Sequence, residues 1–146
     1  MLELLQKEFI VEASIQRAWD HLTGVENWPS WAPHIRRAEL KPEGALTAES
    51  TGRFHLANGI KSDFQMTDFH PPHAWVWTGP FLWLNVSYDH RFEAVGDERT
   101  RMTWIVSADG FAVSLLGRVF AATYKRNLET AVPRLQAELE AEEELG

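Results

Sequence analysis

The sequence predicts an α+β domain of the helix-grip type: a curved antiparallel sheet of about six to seven strands wrapped around a long carboxy-terminal helix, with two short helices after the first strand. Three observations lead there. Trp28-Pro29-Ser30-Trp31-Ala32-Pro33 packs two tryptophans and two prolines into one short junction. Proline fixes its own φ and pushes the preceding residue out of the helical region, so this junction stops a short helix and starts extended chain. Next come about seventy residues of strand-like runs, and from Phe111 the apolar period becomes ~3.6. A chain of 146 residues is read as one domain spanning 1–146.

Each element has its own local cause. Glu3 to Val11 reads as the first strand, with Phe9 and Val11 on one face. Ser14 is placed to cap a helix on which Ile15, Ala18, Trp19 and Leu22 share a side. Gly24 ends that helix, and Val25 to Trp28 suits a second short turn. Strands are expected at Ile35 to Leu40, Thr47 to Leu56 and Ile60 to Phe69, with Asn58-Gly59 as a hairpin turn between the last two. Pro71-Pro72 break the chain. Trp75 to Thr78, Trp83 to Ala94 and Thr100 to Ala108 complete the sheet, with Gly79-Pro80 expected as a break. In the final helix Leu116, Val119, Phe120, Leu128, Ala131, Leu135 and Leu139 form an apolar stripe that Tyr124 joins, while Arg118, Lys125, Arg126 and Glu129 mostly lie off it. Pro133 is expected to kink this helix. Glu138 to Glu144 is expected to be a solvated, fraying end.

Composition narrows the function. Seven Trp and eight Phe stand against two Tyr, so large rings fill the core or line a cavity. The absence of cysteine rules out disulfides and thiolate metal sites and is compatible with a reducing compartment, so a cytoplasmic location is expected. The amino terminus lacks the basic start and apolar run of a signal peptide, and no apolar run reaches the ~20 residues of a membrane span. A net charge of −7 opposes non-specific nucleic-acid binding, while leaving room for a small anion held by one arginine. No phosphate loop, dinucleotide fingerprint, nucleophile elbow or zinc-protease motif occurs, and no cofactor is expected.

Several segments together resemble the polyketide cyclase/dehydrase and lipid-transport superfamily, the START-like group. They are Ala13-Ser14-Ile15 leading to Ala18-Trp19-Asp20-His21-Leu22, the Trp28–Pro33 junction, Thr67-Asp68-Phe69-His70-Pro71-Pro72, His90-Arg91-Phe92-Glu93, and Thr100-Arg101-Met102-Thr103-Trp104. The resemblance covers nearly the whole chain and implies the helix-grip fold with an internal cavity. That superfamily holds aromatase/cyclases, lipid carriers and binders, and its catalytic residues are not universal, so no catalytic role is carried over.

Strand alternation supplies the candidate site. Leu84, Val86, Tyr88, His90 and Phe92 share one face, taken as inward, and Asn85, Ser87, Asp89, Arg91 and Glu93 share the wet one. By the same reasoning Phe54, Phe64, Met66, Met102, Trp104 and Val106 face in. Trp75 and Trp77 share a face that the pattern leaves open, with wide rings favouring the interior. Leu116, Phe120 and Tyr124 supply the helix wall. The candidate ligand-binding residues are therefore Phe54, Phe64, Met66, Trp75, Trp77, Tyr88, His90, Trp104, Leu116, Phe120 and Tyr124. Any one of these also suits a plain core position. His90 is the polar position of interest, with Tyr88 roughly 6–7 Å away on the same face. It suits a hydrogen-bonded core histidine, a ligand anchor, or an acid–base catalyst. Asp68 is in phase with Phe64 and Met66 but sits beside a Pro-Pro turn. Arg53 should point outward. His70 and His73 are the one close histidine pair, about 9 Å apart if extended, with no third ligand nearby, and no metal site is expected. Asp20-His21 is expected on the wet face of the first helix.

The expected function is binding or transport of a small hydrophobic or aromatic molecule in an internal cavity. One alternative is a cyclase or dehydratase using His90 and Tyr88. Another is a protein-interaction or chaperone-accessory module using exposed aromatics near Trp28 and Trp31. No nucleic-acid partner and no transmembrane segment are expected, and an open sheet edge leaves room for a homodimer.

Overall fold

Alternating apolar residues build seven antiparallel strands into one sheet, ordered β1-β7-β6-β5-β4-β3-β2, in the computed structural model. The strands are β1 (Leu2–Val11), β2 (Ile35–Lys41), β3 (Thr51–Leu56), β4 (Lys61–His70), β5 (Ala74–Phe81), β6 (Leu84–Gly96) and β7 (Arg99–Asp109). Helix α1 (Ile15–Thr23) and a 3₁₀ turn (Val25–Ser30) follow β1, and α2 (Val113–Leu145) closes the chain. The structure describes residues 1–145, with side chains through residue 142. The sheet curves with its apolar face towards α2, which is the helix-grip arrangement.

The Ser14 hydroxyl accepts from the Arg17 backbone N–H and starts α1. The face carrying Ala18, Trp19 and Leu22 is buried under the sheet. At the Trp-Pro junction the structure departs from expectation. Trp28 and Trp31 are core residues, 6% and 2% exposed, and the Trp28 indole donates to the Leu22 carbonyl at 2.8 Å. They therefore offer no exposed aromatic surface to a partner. Proline turns hold both rings against the core instead of in water.

Strand bounds shift where hydrogen bonding overrides apolar pattern. Thr47 to Ser50 form a turn, with the Ser50 hydroxyl accepting from the Thr47 N–H at 2.8 Å, so β3 starts only at Thr51. Gly79 and Pro80 continue β5 instead of breaking it. Pro80 pairs with Asn85 of β6, while pairing to β4 ends at Thr78, so the missing proline N–H removes no ladder bond. A register shift between Met66 and Asp68 inserts an extra residue in β4. That bulge reverses the alternation, turning Phe69 inward and Asp68 out to solvent, where it bonds His70 at 2.7 Å.

Helix α2 runs as one element through Pro133. Leu128, Ala131, Leu135 and Leu139 are buried, while Val119, expected in the same stripe, is 61% exposed. The period of ~3.6 carries Val119 to the rim of the face. Gly117 lies against β1: a Cβ there would stand 2.6 Å from Leu4 Cδ2, so glycine permits the close approach. The carboxy-terminal turns of α2 do not behave as a free end. Glu138 and Glu142 meet the two ring nitrogens of His21 at 3.0 and 2.6 Å, and the Ser30 hydroxyl also donates to Glu138. His21 is thus half-buried in a clamp between α1 and α2; Asp20 is exposed. The expected fraying end falls partly outside the described side chains, at Glu143 and Glu144.

Candidate functional site

The inward rings divide into two groups. The first is a closed aromatic core: Phe54, Phe64, Met66, Trp75, Trp77, His90 and Trp104 are all buried. Trp75 and Trp77 both face in, at 0% and 2% exposure. The rings touch one another, Phe64 stacking on Trp77 at 4.1 Å between centroids and His90 on Trp75 at 4.6 Å. Trp28 and Trp31, from the junction, fill the space beside Phe54 and Trp104. Side chains bordering a hollow wide enough for water would retain accessible surface. These retain almost none.

His90 sits inside this core with Trp28, Trp77 and Trp104 around it at 5.0–6.2 Å. Burial pushes its pKa down to about 3, and the nearby backbone of Trp75 and Tyr88 works against this without reversing it. The ring is neutral at physiological pH. Its Nδ1, together with the indole nitrogens of Trp75 and Trp104, has no protein hydrogen-bond partner among the described residues.

The second group lies between the sheet and the amino-terminal half of α2. Leu84, Val86, Val106 and Ala108 form its buried floor, and Phe81, Tyr88, Leu116, Phe120 and Tyr124 pack on it while only partly buried. Tyr88 approaches Tyr124 at 5.9 Å and Phe120 at 6.3 Å, and Phe120 and Tyr124 stack at 5.7 Å. Tyr88 and Tyr124 also touch the aromatic core, so they stand where the two groups meet. Desolvation pushes both phenols well above the usual tyrosine range. Both nevertheless keep accessible surface. The two rings are therefore partly open beside the amino-terminal half of α2. Their hydroxyls remain protonated and bond no protein group among the described residues.

Other candidate polar residues lie elsewhere. Arg53 forms a two-pronged pair with Asp63, at 2.6 and 3.1 Å, and the guanidinium holds the Asp63 carboxyl below its usual range. Both border an open groove of about 710 Å³ with Glu39, Lys41, Gln65 and Asn85. Phe64, Pro80, Trp83 and Leu84 line the same groove, so it borders the floor of the second group at Leu84. No three His, Asp or Glu side chains among the described residues are placed to share a metal ion. No helix among them is long and apolar enough to cross a membrane. The signal that went unread was burial contrast along α2: Gly117 marks where the helix presses onto β1, beside the looser turn carrying Leu116 and Phe120.

A curved antiparallel sheet gripping a long carboxy-terminal helix defines a helix-grip domain. The model of the polyketide cyclase/dehydrase and lipid transport family matches residues 4–140, and the chain belongs to that family. Solved structures share the fold at low identity. A hypothetical protein of Helicobacter pylori superposes with a TM-score of 0.76 at 14% identity, over 91% of this chain and 85% of that one. The XoxI protein of Bacillus cereus gives 0.73 at 14%, over 98% and 99%. The Zhui aromatase/cyclase of Streptomyces sp. R1128 gives 0.70 at 16%, over 93% and 92%. No curated protein sequence matches the chain.

Proposed function

We propose that this protein binds a small apolar or aromatic molecule bearing a hydroxyl or carbonyl group, in the recess between β6, β7 and the amino-terminal half of α2. The observation that carries the reading is the pair Tyr88 and Tyr124: two deep phenols with accessible surface and unpartnered hydroxyls, over a floor of Leu84, Val86, Val106 and Ala108. Apolar walls with a few convergent polar groups are the usual make-up of a small-molecule site. Because both phenols stay protonated, they serve as hydrogen-bond donors to a ligand oxygen. Membership of a family of cyclases and lipid carriers agrees with this. A cytoplasmic location belongs to the same proposal, and cell fractionation tests it.

The cyclase or dehydratase alternative is supported by the aromatase/cyclase among the fold neighbours. His90 is a poor proton carrier for it, enclosed by rings and neutral far below pH 7. Tyr88 is the better placed of the two for contact with a bound molecule.

Calorimetric titration with naphthol and with naphthalene tests the binding reading. Saturable uptake of both is expected, naphthol the tighter. Tyr88→Phe or Tyr124→Phe should remove one hydrogen bond of about 0.5–1.5 kcal/mol and weaken naphthol roughly three- to tenfold, leaving naphthalene unchanged. Absence of saturable binding of either compound would rule the reading out.

A further inference from the structure

Among the described residues, five of the nine exposed large hydrophobics gather at one end of the molecule. Leu82 and Trp83 form the tip of the β5–β6 hairpin, at 64% and 60% exposure, and Phe111, Leu115 and Val119 follow at 83%, 68% and 61%. The Trp83 indole donates to the Phe111 carbonyl at 2.9 Å, which ties the hairpin tip to the start of α2 and makes one continuous patch. Leu115 and Val119 are one helical turn apart on the exposed flank of α2, beside the side that carries Leu116 and Phe120.

The charge around this patch differs from the rest of the chain. Between Gly110 and Leu128 stand Arg118, Lys125 and Arg126 and no acidic residue, in a chain whose net charge is −7. All three cations are exposed: Arg126 shares the helix face of Leu115 and Val119, and Arg118 and Lys125 lie about a quarter turn to its side. None of their side chains is paired among the described residues. Apolar side chains flanked by cations, beside an exposed tryptophan, match the layered chemistry of an anionic bilayer: headgroup charge outside, acyl chain beneath. The acidic remainder of the surface is repelled by the same headgroups, and that orients the molecule.

We propose that the hairpin tip Leu82-Trp83, Phe111 and the exposed flank of α2 from Leu115 to Arg126 dock on an anionic phospholipid surface. The proposal stands on surface observations and does not depend on a ligand in the recess. Its test contains no apolar ligand, so either proposal can fail without the other.

The test is flotation of the full chain with vesicles of phosphatidylcholine alone and with vesicles containing phosphatidylglycerol. Binding is expected to the anionic vesicles only, weakening as salt rises. Trp83 emission should shift to the blue, a clean signal because the other six tryptophans are buried. Arg118→Gln, Lys125→Gln and Arg126→Gln together should lower vesicle partitioning roughly 100-fold, since each cation near such a surface contributes about a factor of five or more. Leu115→Ser with Val119→Ser should abolish binding while leaving the unfolding midpoint nearly unchanged, because both side chains are exposed. Absence of binding to anionic vesicles at low salt, equal binding to neutral ones, or full binding by the triple Gln variant would each overturn the proposal. So would a dimer in lipid-free buffer that Leu115→Ser dissociates, which would give the face to a second copy of the chain.

Discussion

Replacing His90 with leucine should make the protein less sensitive to acid. In the folded state burial holds the His90 pKa at about 3, against an ordinary 6.5. Below pH 6.5 the unfolded chain therefore binds a proton that the folded chain does not. Stability contributed by keeping this ring neutral is complete above pH 6.5 and is lost as pH falls towards 3. The slope is about 1.4 kcal/mol per pH unit, so roughly 3 kcal/mol disappears by about pH 4. At pH 7 the substitution gives up stacking on Trp75, about 0.5–1.5 kcal/mol, and removes the unpartnered buried Nδ1, whose desolvation costs about 1–3 kcal/mol. The two nearly cancel, leaving a change within ~1 kcal/mol. Urea unfolding followed by tryptophan fluorescence at successive pH values reads both quantities. His34, whose pKa burial also lowers, is present in both proteins and drops out of the difference. Parallel stability curves for His90→Leu and wild type below pH 6 would refute the reasoning, as would an NMR titration placing the His90 midpoint near that of a free histidine.

Two further substitutions test the frame of the site. A Cβ at Gly79 would run into the Asp63 carbonyl oxygen of β4, so Gly79→Ala should destabilise by about 1–3 kcal/mol in urea unfolding. His21→Ala removes the ring that bridges Glu138 and Glu142. Amide exchange across residues 136–142 should accelerate, while Leu116 to Tyr124, held by the sheet and not by α1, should exchange as before.

Much of this arrangement was legible because β6 obeys strict alternation: Leu84, Val86, His90 and Phe92 are buried and Asn85, Arg91 and Glu93 exposed, as a period of two requires. The same rule failed at Asp68, where a bulge inserts one residue and reverses the faces, an event with no signature in hydrophobicity. Gly79-Pro80 read as a break because proline lacks a donor, but pairing between β4 and β5 has already ended at Thr78, so no ladder bond is lost. Trp28 and Trp31 were readable as aromatic and rigid, but which way they turned depended on long-range packing against Phe54 and Trp104. The candidate site was harder still. Alternation places Phe54, Trp77, Tyr88 and Phe120 on one inner surface and cannot say which rings meet each other and which leave room. That outcome depends on Trp28 and Trp31 closing one end and on where Gly117 lets α2 descend onto β1.

The most direct measurement is backbone amide NMR of the full chain titrated with naphthol. The account predicts shift changes concentrated at Leu84, Val86, Tyr88, Leu116, Phe120 and Tyr124, with Trp75 and His90 little moved. Changes centred on the charged groove at Arg53, Asp63 and Gln65, or none at saturating naphthol, would contradict it.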